Sequence, residues 1–192
     1  MKKILICGDS FAADWHQNVQ GWPNLLSEIH RVDNLAQAGC SQYKIYKQII
    51  SANLGTYDRI IICHTSPFRI YCEKHPVHHS SLLHSNCDFI YSDVVENVSK
   101  DYDLKVVKKY FELYFSQDYA IFTHNLICKE ITSILANYSV IHITFFDYKN
   151  LFEFDRFHSF YDVFLNYKGS VNHLNEKGNL MVFESLNKQL EI

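Results

Sequence analysis

The chain has 192 residues, 47% of them hydrophobic and 20% charged, with a formal net charge of −3. One domain is the expected count at this length, and the composition excludes a chain disordered throughout. There is no basic excess to neutralise phosphates, so a dedicated nucleic-acid binder is not expected.

Residues 2–7 form a short apolar run that ends in Gly8-Asp9-Ser10. Four apolar residues before a Gly turn are too few for a signal-peptide core and predict a first strand. Residues 22–30 predict a helix with Leu25, Leu26 and Ile29 inward, and residues 32–36 predict a second strand. Ser41 is placed to cap the next helix, over residues 42–54, where Tyr43, Tyr46, Ile49, Ile50 and Leu54 recur at helical spacing. Residues 59–63 are a continuous apolar run, the mark of a parallel strand covered on both faces.

Between residues 67 and 103 the periodicity fails. This stretch holds two of the three prolines and several histidines, and reads as a lid or insertion over one end of the sheet. Helices are predicted over residues 105–115 and 118–138, and a fourth strand over residues 140–145 that ends at Phe146-Asp147. Residues 151–167 are aromatic and fit neither period. The chain closes with Asn172-His173-Leu174-Asn175-Glu176-Lys177-Gly178 and a helix to about Leu190.

Strands alternating with helices imply a parallel sheet with helices on both sides. No run reaches the length of a membrane helix, so no membrane association is expected. The six cysteines form no C-x-x-C pair, and Cys7 and Cys63 lie in strand-like apolar runs, which predicts reduced thiols and a cytoplasmic setting. The 13 Tyr, 14 Phe and 2 Trp are spread along the whole chain, so they read as ordinary core and surface rings rather than a dedicated sugar platform.

Ligands of open α/β sheets sit beyond the carboxyl ends of the strands. Ser10 belongs at that edge, where backbone N–H groups can hold an oxyanion, and His173 before the last helix can return there as its base. Asp9, His64 and Arg69 are candidates for substrate contact. The Arg69 fork suits a carboxylate or phosphate. Cys72, His75, His78, His79, His84 and Cys87 crowd together as zinc-type ligands do, but their spacing matches no zinc module, and no metal or cofactor is assigned.

With these motifs the chain resembles the SGNH/GDSL hydrolase family. Ile4-Leu5-Ile6-Cys7-Gly8-Asp9-Ser10-Phe11 resembles its first block, Asn34-Leu35-Ala36-Gln37-Ala38-Gly39-Cys40-Ser41 its second, and Asn172-His173-Leu174-Asn175-Glu176-Lys177-Gly178 its last. The resemblance implies a flavodoxin-like three-layer α/β/α sandwich with a parallel sheet, Ser10 as nucleophile, His173 as base, and the Ser10 and Gly39 N–H groups as oxyanion hole. It implies hydrolysis of a small O-acyl ester, such as an acetyl group on a carbohydrate, or acyl transfer by the same residues.

Two blocks depart from the family pattern. His64-Thr65-Ser66-Pro67 stands where the family has G-x-N-D, leaving Thr65, Ser66 or His64 to supply the missing oxyanion donor. Ser170 stands where the family has an Asp, three residues before the His. Asp147 is then the candidate orienting acid and Asp162 the runner-up. A non-catalytic binding protein on the same fold is the competing reading, and the oligomeric state is left open.

Overall fold

The computed structural model describes residues 1–13, 20–79, 86–147, 152, 154–169 and 173–191. Five strands form one parallel sheet: β1 (Lys3–Gly8), β2 (Arg31–Asn34), β3 (Arg59–His64), β6 (Val140–Thr144) and β7 (Phe157–Ser159). Their order across the sheet is β2-β1-β3-β6-β7. Two further strands, β4 (Arg69–Ile70) and β5 (Phe89–Ile90), pair antiparallel to each other outside that sheet.

The helices are α1 (Trp22–Ser27), α2 (Gln42–Ser51), α3 (Tyr91–Asn97), α4 (Tyr102–Leu113), α5 (Gln117–Leu135), α6 (Tyr161–Asn166) and α7 (Glu176–Leu190). Strand alternation divides the core in two. Ile4 and Ile6 of β1 join Ile61, Ile143, Trp22, Leu26, Val182 and Leu186 on the face covered by α1 and α7. Leu5 and Cys7 join Ile60, Ile62, Ile45, Ile49 and Ile131 on the face covered by α2 and α5. The result is an α/β arrangement with a helix layer on each side of the sheet, consistent with a flavodoxin-like three-layer fold. In that strand order the connections reverse direction between β1 and β3, and a crevice opens at the strands' carboxyl ends.

The element reading of the sequence differs from the structure at identifiable points. Helix α1 stops at Ser27, so Ile29 lies outside it and is exposed, because the chain must turn at once to enter β2 beside β1. Helix α2 stops at Ser51, and Leu54 begins a separate 3₁₀ turn. The described part of residues 67–103 holds β4, β5, α3 and the start of α4. The aromatic stretch carries the edge strand β7 and helix α6. No described helix is long and apolar enough to cross a membrane.

Candidate active site

Strand β1 delivers Ser10 to the sheet edge on a tight turn. The Ala12 and Ala13 N–H groups both donate to Asp9 O, at 3.1 and 3.0 Å, and the Phe11 N–H donates to Asp9 Oδ1 at 3.0 Å. Gly8 is needed just before this turn, because a Cβ there would lie 2.6 Å from Cys63 Cβ on the neighbouring strand. Trp22 Nε1 and Asn34 Nδ2 donate to the carbonyls of Phe11 and Ala12, each at 2.8 Å, and fix the turn from outside.

Ser10 opens onto a cleft of about 480 Å³ that Gly39, Arg69 and His173 also line. That volume lies within the range of small-molecule sites. Phe11, Phe146, Phe164, Cys87 and Ile90 give it apolar walls. His173 precedes α7, whose N-terminus Asn175 caps by accepting from the Gly178 N–H at 2.9 Å. The His173 ring lies against Phe11, the residue after Ser10, with centroids 5.1 Å apart. Gly39 takes φ +73°, and its N–H donates to no group among the described residues. Arg69 holds the same corner, with Nε donating to Thr65 Oγ1 at 3.3 Å and Nη1 to Gly39 O at 3.5 Å.

The other candidates sit elsewhere. Asp9 is fully buried beneath the turn. Burial raises its carboxyl above the usual carboxylate range, against the pull of the Arg69 charge and the Phe11 N–H. It shapes the Ser10 turn through the Phe11 N–H and is not among the residues that line the cleft. His64 is fully buried as well, because both ring nitrogens are engaged in the core: Nδ1 with Gln42 Nε2 at 2.8 Å and Nε2 with His142 Nδ1 at 2.9 Å. Burial holds His64 well below the ordinary histidine value, so it is neutral. Thr65 is fully buried and accepts from Arg69. Ser66 lines a neighbouring cavity of about 370 Å³ with Arg69, Gln42 and several tyrosines. Asp147 follows β6 and is exposed, outside the residues that line the Ser10 cleft, as is Asp162 at the start of α6.

Ser170, Asn172 and His84 lie outside the described residues. Among the described residues, no group of three His, Cys, Asp or Glu side chains is arranged to hold a metal ion. His75 Nδ1 accepts from the Val77 and His78 N–H groups, and His79 Nδ1 bonds His75 O, so the histidine cluster is tied into its own loop.

Sequence reasoning missed two lining residues as partners, His78 and Asp93. They form a pair at 2.9 Å, fifteen residues apart in a stretch whose sequence has no periodicity to mark a shared face. Comparison with models of known protein families and with curated proteins finds no match.

Proposed function

We propose that the protein is a serine ester hydrolase of the SGNH/GDSL type, acting on a small O-acyl ester. The observation that carries this reading is one cleft lined by Ser10, Gly39 and His173, residues drawn from opposite ends of the chain. The Ser10 hydroxyl attacks the acyl carbonyl while His173 takes its proton. The N–H groups of Ser10 and Gly39 hold the oxyanion, the alcohol departs, and water cleaves the acyl-enzyme. The apolar walls suit a short acyl group such as acetyl, and the polar Arg69 lining suits a polar alcohol such as a sugar. No metal or cofactor has a part in these steps.

Acyl transfer to a second hydroxyl is the closest variant. It is favoured by the insertion, which contributes His78, Cys87, Asp88, Ile90 and Asp93 to the walls and so limits the access of water.

Labelling with a fluorophosphonate probe tests the reading. Wild type is expected to label, and Ser10→Ala is expected not to. His173→Ala should slow labelling by roughly 10²–10⁴, the usual contribution of a positioned base. A folded wild type that does not label would shift the case to a non-catalytic binding role.

A further inference from the structure

The insertion brings a second imidazole to the Ser10 cleft. His78 Nε2 lies 2.9 Å from Asp93 Oδ1, and both residues line the cleft with Ser10, Arg69 and His173. Each side chain is about one-third exposed, at 30% and 27%, which leaves the pair in contact with whatever occupies the cleft.

The pair is held from behind. The His78 N–H donates to His75 Nδ1 at 2.9 Å, so the His75 proton sits on Nε2, 3.6 Å from Asp93 Oδ2. Asn97 Nδ2 donates to Asp93 Oδ1 at 3.0 Å. His75 is fully buried, and that burial holds it below the ordinary histidine value. Asp93 is thus set between the His75 ring and the Asn97 amide, with its Oδ1 at hydrogen-bond distance from His78 Nε2.

His78 has a carboxylate at hydrogen-bond distance, that of Asp93. An alkyl or sugar alkoxide is a poor leaving group and must take up a proton as it departs. We propose that His78, oriented by Asp93 as its positioning residue, is the acid–base catalyst for the oxygen that leaves and the oxygen that enters, while His173 serves Ser10. This rests on the Ser10 reading above.

The proton count closes. The cycle starts with His173 neutral and His78 protonated as an ion pair with Asp93. Ser10 Oγ bonds to the acyl carbon and gives its proton to His173. The bond from that carbon to the alcohol oxygen breaks, and the oxygen takes the proton of His78. The acceptor oxygen, of water or a hydroxyl, then bonds to the acyl carbon and gives its proton to His78. The bond to Ser10 Oγ breaks, and Oγ takes the proton back from His173. Both histidines return to their starting states.

The experiment compares kcat/KM for p-nitrophenyl acetate, whose leaving group needs no proton, with that for ethyl acetate, whose leaving group does. For His78→Gln, the aryl ester is expected to stay within about threefold of wild type and the alkyl ester to fall by roughly 10²–10⁴. Asp93→Asn should show the same split at smaller size. A retained aryl kcat/KM, which reports acylation alone, would itself show that the variants fold. Equal losses on both esters, or no loss on either, would overturn the role of His78. A wild type that turns over neither ester and does not label at Ser10 would instead overturn the Ser10 reading, and the role of His78 with it.

Discussion

Gly39 ties backbone conformation to chemistry at one residue. Its φ of +73° falls in the left-handed region, which costs a residue with a Cβ about 1 kcal/mol or more. A Cβ would also sit 2.6 Å from Cys87 Sγ and 2.8 Å from Cys87 Cβ. Gly39→Ala must therefore push the insertion away or turn the peptide that carries the N–H. Either movement spoils an oxyanion donor, which is worth roughly 10²–10³ in rate. Fluorophosphonate labelling of Gly39→Ala is expected to slow by that factor, with a lower melting temperature. Adding Cys87→Gly should recover part of the melting temperature, because it removes the clash. It should leave labelling impaired, because the left-handed strain persists. Full recovery of labelling in the double variant would mean that the Gly39 conformation has no part in the site. The choice of Gly at this position was legible in the sequence only through its motif. The partner that excludes a larger residue, Cys87, lies in the insertion, where the sequence carries no period from which a contact could be read.

At the scale of elements, the insertion is stapled to the start of α2. Asp88 is fully buried, and its carboxylate accepts from the Ser41 N–H at 2.7 Å and the Cys72 N–H at 2.8 Å. Lys44 Nζ completes the set at 2.8 Å from Asp88 Oδ1. The Asp88 N–H donates to Gly39 O at 2.9 Å, so one residue fixes both the corner that bears Gly39 and the first turn of α2. Removing one partner of a buried pair leaves the other charge uncompensated, at a cost of about 3–5 kcal/mol. Lys44→Met is expected to lose stability toward the lower end of that range, since two backbone N–H groups still hold Asp88. Adding Asp88→Asn should return part of the loss. Urea unfolding of the two single variants and the double variant measures it, and additive losses would show that the pair is not coupled. Nothing in the sequence marks this staple: Lys44 is one of several polar residues on an amphipathic helix, and its partner is 44 residues away. What the sequence did carry was the sheet itself, since runs such as Ile60-Ile61-Ile62-Cys63 have no alternative to burial on both faces. Strand β7 escaped because three residues at a sheet edge hold too little pattern to separate a strand from a helix.

Across the whole molecule, the histidines divide by layer. His173 and His78 face the cleft, whereas His64, His124 and His142 are nearly or fully buried. The amide of Gln42 is set by the Thr65 N–H, which donates to Oε1 at 3.4 Å. Gln42 Nε2 therefore donates to His64 Nδ1, and His64 donates through Nε2 to His142 Nδ1, so the chain is complete only with both rings neutral. Burial pushes His124 and His142 down to about 4, and His64 well below the ordinary value. The unfolded chain takes up protons on these histidines near pH 6.5, whereas in the fold His124 and His142 do not until about pH 4 and His64 is held well below its ordinary value. Stability is therefore whole above pH 6.5 and is lost as the pH falls toward 4, by about 1.4 kcal/mol per pH unit for each such histidine. Asp9 opposes this trend, since a raised carboxyl binds its proton more readily in the folded state, but it is one group against five, because burial lowers His75 and His158 as well. Urea unfolding from pH 7 to 4.5 is expected to show a steady fall in stability, steeper than one proton can produce. His142→Gln keeps an acceptor for His64 Nε2 and should reduce the slope by about one proton. A wild-type stability that stays level over that range would mean that the core histidines take up protons in the fold as readily as in the unfolded chain, and that Gln42, His64 and His142 are not the neutral chain their distances describe.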